Sequence, residues 1–249
     1  MTILKRLIPL ACVLAVATSA SAADIKVLCT NGVRAVVDEL IPRFEQATGN
    51  KVAIQFEPST QLKKRIDAGE PFDLVIMTTT LVEEEIAAAR LLEDSRTFIA
   101  QSGLGMSIRA GAKKPNISTV NAFRNALLNA DSITYATQGA SAAPFEVLVA
   151  KLGITSALKP KYSLRPTAAE VGEAVASGAV EIGIAPISEI LPVRGVDLVG
   201  PFPKDVQSYV HLTAAVSAGA RQNVEARKLL AFLIAPANAP VYKMKGMER

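Results

Sequence analysis

The sequence contains no tryptophan, a single histidine and only 5% aromatic residues. Sugar-binding sites and sites that stack nucleobases depend on aromatic faces, so this scarcity argues against both. The histidine, His211, lies inside a predicted strand, and no cluster of histidine, cysteine and carboxylate residues has metal-ligand spacing. No segment resembles a nucleophile elbow. We therefore expect no resident metal or cofactor, and no enzymatic activity.

Cysteine is nearly absent as well, since the chain has only Cys12 and Cys29. Cys12 lies in an N-terminal segment with a basic start, a short apolar run and an Ala-x-Ala end, which is the pattern of a secretory signal peptide. We predict that residues 1–22 are a signal peptide and that the mature protein is periplasmic. Cys29 is then the one remaining thiol, so no internal disulfide can form.

Neither sign of charge dominates the sequence. The chain has 27 lysines and arginines against 23 aspartates and glutamates, and the predicted signal peptide removes two of the basic residues. The remaining small positive balance forms no basic stripe, so we expect no nucleic-acid partner.

What the sequence does contain is a repeated junction between a strand and a helix. Residues 27–32 read as a buried strand that ends in Thr30-Asn31-Gly32, and apolar residues then recur at the three- and four-residue spacing of a helix. Open backbone N–H groups and the positive end of the helix dipole meet at such a junction, which suits an anion. The alternative is that Asn31 merely caps the helix.

Similar junctions follow along the chain, and this recurrence favours a binding site. Ser59 and Thr60 stand at the start of the second predicted helix. A loop of small and hydroxyl residues around Ala140-Ser141 precedes a later one. Thr167 and Glu170 have the spacing of a capping box at the start of another.

The alternation of strands and helices predicts an α/β fold of two doubly wound lobes with the ligand cleft between them. The chain crosses between lobes near residues 99–105 and 200–206. Residues 23–100 and 205–249 are predicted to form lobe 1, and residues 101–204 to form lobe 2, inserted into lobe 1.

Several segments of the sequence resemble the periplasmic molybdate-binding proteins, which are type II periplasmic solute-binding proteins of ABC importers. The segments that carry this resemblance are the Thr30-Asn31 turn and residues 58–62, 66–76 and 182–184. The resemblance implies a type II periplasmic binding protein fold and a small tetrahedral oxyanion, molybdate or tungstate, as ligand. It also implies an inner-membrane ABC permease as partner and a monomeric binding protein.

The same resemblance implies which residues contact the ligand. The positions that match the family's contacts are Thr30, Asn31, Ser59, Ala140, Ser141 and Val171. One position departs from the pattern, because Pro186 stands where many members have a tyrosine whose hydroxyl reaches the oxyanion. Proline offers neither a hydroxyl nor an N–H.

Two alternatives remain open from the sequence. Arg34 or Arg165 could pair with a carboxylate ligand, which would favour an organic acid over molybdate. The same fold could also serve a periplasmic sensor that reports its ligand to a partner protein.

Overall fold

The computed structural model describes residues 24–249. The predicted signal peptide, residues 1–22, lies outside the described residues. Within them, the strands are β1 (Asp24–Thr30), β2 (Lys51–Glu57), β3 (Leu74–Thr78), β4 (Thr97–Arg109), β5 (Ile133–Tyr135), β6 (Ile182–Pro186), β7 (Val196–Pro201) and β8 (Tyr209–Val216). The α-helices are α1 (Arg34–Thr48), α2 (Ser59–Asp67), α3 (Thr79–Ala87), α4 (Val120–Asn129), α5 (Ala142–Lys151), α6 (Thr155–Leu158), α7 (Ala168–Ala176), α8 (Ile187–Ile190), α9 (Asn223–Leu233) and α10 (Ala239–Met244).

The strands follow the order β2-β1-β3-β8-β4-β6-β5, with β7 paired to β4. β1 pairs in parallel with β2 and β3, as expected for strands joined by crossover helices. β5 and β6 are also parallel, whereas β8 runs antiparallel to both β3 and β4. The carboxyl ends of β1, β2 and β3 therefore lie at one edge of the sheet, where the helix starts follow.

The long strand β4 connects the two halves of the molecule. Its first part, as far as Gly103, pairs with β8. Its second part, from Leu104 onward, pairs with β6 and β7. The change of partner falls inside the predicted first crossing, and a 3₁₀ turn at Lys204–Val206 lies in the predicted second one. The exact lobe boundaries stay a prediction.

Helix ends follow the local chemistry of the sequence. Gly49 ends α1 in the left-handed conformation, with φ at 75°, which glycine adopts without steric cost. Thr167 and Glu170 form both hydrogen bonds of the predicted capping box at the start of α7. Within residues 24–249, no helix combines the length and the apolar character needed to cross a membrane.

The thiol of Cys29 is completely buried on β1, and its Sγ donates to the Thr30 carbonyl at 3.5 Å. Burial raises the pKa of this thiol far above its usual range. Because the thiolate is the reactive form, we expect the native mature protein to give no reaction with Ellman's reagent and the denatured protein to give one equivalent. A Ser156→Cys variant, with its thiol at an exposed position, is the positive control. Rapid stoichiometric labelling of the native wild type would contradict this burial.

Candidate functional site

A chamber of about 90 Å³, here called the inner chamber, lies where the starts of several helices meet. Residues from both predicted lobes line it. They are Thr30, Asn31, Gly32, Pro58, Ser59, Thr60, Thr78, Leu81, Ser102, Gln138, Gly139, Ala140, Thr167, Ala168, Pro186, Ser188, Glu189, Val210 and Leu212. Seven of these side chains carry a hydroxyl and none is an arginine, lysine or histidine.

The turn after β1 contributes backbone and amide groups to this chamber. Residues Asn31–Val33 form a 3₁₀ turn that leads into α1, and no side chain caps either helix start. The interpretation of Asn31 as a simple helix cap is therefore wrong. Its Oδ1 instead accepts a long hydrogen bond of 3.5 Å from the Arg34 guanidinium. This arrangement leaves the amide N–H₂ of Asn31 for another acceptor.

Ser59 stands at the first position of α2 and is 6% exposed. Its Oγ accepts a hydrogen bond from the backbone N–H of Thr78 at 3.2 Å. Since the oxygen is already an acceptor there, its own proton remains to be donated elsewhere. The first-turn N–H groups of Ser59 and Thr60 have no acceptor within the helix. The start of α2 therefore presents the Ser59 hydroxyl and these two N–H groups as donors.

The start of α7 brings donors from predicted lobe 2. The Thr167 hydroxyl donates to the Glu170 carboxylate at 2.7 Å and accepts from the Glu170 N–H at 3.3 Å, so the capping box occupies it. The N–H groups of Ala168 and Ala169, in the first turn, lack intrahelical acceptors. Backbone N–H groups, more than the threonine side chain, are therefore what this helix offers a ligand.

The loop before α5 faces α2 across the cleft. Gln61 Nε2 donates to Gln138 Oε1 at 3.2 Å, a contact between the two predicted lobes. Gln138, Gly139 and Ala140 line the inner chamber beside it. This exposed hydrogen bond therefore bridges the cleft between α2 and the loop before α5.

The predicted site residues fall into two groups in the structure. Thr30, Asn31, Ser59 and Ala140 line the same chamber. Ser141 is only 1% exposed and Val171 only 2%, and both lie outside its lining. The N–H of Val171 already donates to the Thr167 carbonyl at 3.1 Å. Ligand contact stays a prediction for all six residues.

Two residues that sequence reasoning missed follow Pro186 on α8. Ser188 is 4% exposed, and its Oγ has no hydrogen-bond partner among the described residues. Its backbone N–H donates to Ser102 Oγ at 3.1 Å, which ties α8 to β4. Glu189 lies next to it, and desolvation by the surrounding protein raises the pKa of its carboxyl to about 7. The available signal in the sequence was a hydroxyl and a carboxyl two and three residues after the proline that ends β6.

A second space, here called the outer chamber, adjoins the first and has a volume of about 400 Å³. Arg34 and Asp38 of α1 line it, and Ser188 and Glu189 belong to the walls of both chambers. The Arg34 guanidinium lies 4.1 Å above the centre of the Phe56 ring. Arg34 is therefore close to any ligand that extends from the inner chamber into the outer one.

Arg165, the other arginine considered for a carboxylate ligand, lies elsewhere. Its guanidinium donates to the carbonyls of Ser163 and Leu164, both at 3.0 Å. It lines neither chamber. Of the two arginines, Arg34 alone is positioned to meet a ligand in the cleft.

Comparison with known proteins gives a consistent family. The model of the family described as bacterial extracellular solute-binding protein matches residues 25–248. An aconitate isomerase of a Pseudomonas species is 29% identical over 227 residues, covering 89% of this chain and 86% of the relative. The molybdate-binding protein ModA of Azotobacter vinelandii is 26% identical over 240 residues, covering 92% of each chain.

A solved structure supports the fold. The periplasmic molybdate-binding protein of Azotobacter vinelandii superposes with a TM-score of 0.76 at 18% identity, covering 90% of this chain and 99% of that one. The predicted fold class, two α/β lobes of the type II periplasmic binding protein kind, is confirmed by this likeness.

Proposed function

Because the chain belongs to the family of bacterial extracellular solute-binding proteins, we propose that it binds molybdate or tungstate for delivery to the membrane permease of an ABC importer. The observation that carries this proposal is the inner chamber itself. Helix starts from both predicted lobes meet there, and its lining offers hydroxyls, amides and backbone N–H groups without a basic side chain. The similarity to molybdate-binding proteins supports the same ligand class.

Such a lining suits a small oxyanion on physical grounds. Helix N-termini stabilise negative charge, and hydrogen bonds to an anion are stronger than those between neutral groups. The Ser59 hydroxyl has its proton to donate, because its oxygen already accepts from Thr78. Ser188 places a buried hydroxyl, which has no partner in the described part of the chain, close to Pro186, where the family pattern has a tyrosine. Closure of the two lobes would complete the shell of donors.

The test is thermal unfolding of the mature protein with molybdate, tungstate, sulfate and phosphate, against chloride at equal ionic strength. A ligand that binds only the folded state raises the midpoint by mass action. We expect molybdate and tungstate to raise it and chloride to leave it unchanged. No shift with any oxyanion would contradict the proposal.

A second candidate function is isomerisation of a small unsaturated carboxylate, and it is favoured by Glu189 and Arg34 at the outer chamber. Arg34 would hold a carboxylate of the substrate, and a carboxyl whose pKa is about 7 is suited to general acid–base work near neutral pH. The similarity to an aconitate isomerase points the same way. This candidate would reverse the expectation that the protein is not an enzyme.

The reaction would be a proton shift along an allylic carbon chain. Glu189 would remove a proton from the CH₂ next to the double bond, the double bond would move by one position, and the proton would return to the far carbon. Proton NMR in D₂O with trans-aconitate tests this, because turnover replaces substrate protons by deuterium and forms the cis isomer. We expect Glu189→Gln to abolish turnover if the candidate is right. An unchanged wild-type spectrum after prolonged incubation would remove it.

A further inference from the structure

The carboxyl group of Glu189 has an unusual position for an anion-binding cleft. Glu189 lines both the inner and the outer chamber, and the residue as a whole is half-buried. Its Oε1 lies 3.7 Å from the point that a Cβ on Gly32 would occupy, beside the turn that follows β1. No described residue donates a hydrogen bond to it or forms an ion pair with it.

The charged groups around α8 do not neutralise this carboxyl. β6 and the 3₁₀ turn at Asn31–Val33 have no titratable side chain, and Glu170 of α7 is occupied by the Thr167 capping box. β7 carries Asp197, which accepts from the Gly111 N–H, and β4 carries Arg109 beside Gly178. Arg34 and Asp38 face the outer chamber from α1 as one charge of each sign. Lys245 lines a separate space behind Ser188.

An ionised carboxylate here would lie among the donors that an anion needs, and the two negative charges would repel each other. A neutral carboxylic acid has the opposite effect, because its O–H is a hydrogen-bond donor. The adjacent Ser188 hydroxyl is buried and has no hydrogen-bond partner within residues 24–249, so it is a second donor that a ligand could engage. Both side chains can therefore donate a hydrogen bond to an anion when Glu189 is protonated.

We propose that Glu189 binds the anion as a neutral carboxylic acid that donates its proton to a ligand oxygen, so that binding at alkaline pH takes up one proton. The inference rests on the proposed anion-binding function and adds a specificity-determining residue to it. A fully deprotonated oxyanion would be accepted together with a proton from solvent. An anion that already carries a proton would not need one.

The expected change of Kd with pH follows from the fraction of molecules in which Glu189 is protonated and can therefore bind the anion. Burial raises the pKa of Glu189 to about 7 in the unliganded protein. At pH 9 only about one molecule in a hundred is then protonated, and the apparent Kd rises in inverse proportion to that fraction. Below pH 7 most molecules are competent and the affinity levels off. Between pH 6 and pH 9 we expect the Kd to rise on the order of 100-fold.

Isothermal titration calorimetry with molybdate at pH 6 and pH 9, in two buffers of different ionisation enthalpy, measures both the Kd and the protons taken up. Wild type is expected to take up close to one proton at pH 9 and far less at pH 6. Glu189→Gln keeps an N–H donor but cannot titrate, so we expect the same affinity at both pH values. At pH 9 it should bind on the order of 100-fold tighter than wild type. Asp205→Asn, an exposed aspartate that lines neither chamber, is the control and should leave the proton count unchanged.

Two results would overturn the inference while leaving the anion-binding function standing. One is a wild-type Kd for molybdate that does not change between pH 6 and pH 9. The other is a Glu189→Gln variant that binds more weakly at both pH values, as a purely structural role predicts. Absence of binding by molybdate, tungstate, sulfate and phosphate at both pH values would overturn the proposed function and this inference together.

Discussion

Replacement of Asp73 by alanine is expected to lower the free energy of unfolding by about 3 kcal/mol, because two charge-assisted hydrogen bonds are lost at about 1.5 kcal/mol or more each. Asp73 is 4% exposed, in the segment just before β3. One carboxylate oxygen accepts from the Lys26 N–H on β1 and the other from the Gln222 N–H at the start of α9, both at 2.9 Å. The side chain thus joins segments that lie far apart in the sequence.

The cost is large because the Asp73 carboxylate is the acceptor for both backbone N–H groups. Without the carboxylate, both N–H groups lose an acceptor at a partly buried site. A buried donor left unsatisfied costs more than the net value of a made hydrogen bond. Asp73→Asn should not rescue the protein, since its amide N–H₂ would face one of the two N–H donors.

Chemical and thermal unfolding of the mature protein measure the effect. For a chain of this size each kcal/mol corresponds to about 2–4 °C, so a midpoint lower by roughly 6–12 °C is expected. Asp205→Asn, an exposed aspartate in the 3₁₀ turn before β8, is the matched control and should change the midpoint little. A shift for Asp73→Ala no larger than that of the control would show that the two hydrogen bonds contribute nothing.

Asp73 also illustrates what the sequence could and could not predict. The strands and helices around it follow from local periodicity, and the strand-to-helix junctions at Thr30 and Ser59 were found for that reason. The side-chain link from Asp73 to Lys26 and Gln222 depends on which segments become neighbours, with 149 positions separating Asp73 from Gln222. No local pattern encodes such a pairing.

The residues of the inner chamber also divide into those that the local sequence predicts and those that depend on how distant segments pack. Thr30, Asn31 and Ser59 were predicted because they lie where a strand of predicted lobe 1 passes into a helix. Ser188 and Glu189 were not predicted, because the family pattern points to position 186 and not to the residues that follow it. Only the packing of α8 against the turn after β1 brings these two side chains to the cleft.

The position of α7 explains why the residues that line the chamber differ from the contact predicted in this helix. The predicted contact in this helix was Val171, whereas the chamber is lined by Thr167 and Ala168, one turn earlier. In a helix only the first-turn N–H groups lack an acceptor, and the Val171 N–H already donates to the Thr167 carbonyl. The capping box fixed the start of the helix correctly, and its first turn is where donors for an anion are available.

The largest effect expected on ligand binding is that of Ser59→Ala. The variant removes a hydroxyl that lines the inner chamber and has its proton free, because Ser59 Oγ already accepts from the Thr78 N–H. A hydrogen bond to a charged group contributes roughly 1.5–3 kcal/mol, so the Kd for molybdate should rise by about 10- to 150-fold. Calorimetry at pH 6, where the Glu189 carboxyl is mostly protonated, isolates this contribution from the pH effect.

The same substitution also leaves the Thr78 N–H without its acceptor, so stability must be measured beside affinity. Ser59→Thr keeps the hydroxyl and should bind molybdate nearly as tightly as wild type. If Ser59→Ala lost affinity only because it misfolds, the threonine variant would not be expected to recover it. Ser177→Ala removes a hydroxyl that donates to the Ala174 carbonyl at 3.1 Å, away from both chambers, and should leave the Kd unchanged. If Ser59→Ala binds molybdate as tightly as wild type, Ser59 does not contact the ligand. The donors at that wall would then be the backbone N–H groups that begin α2.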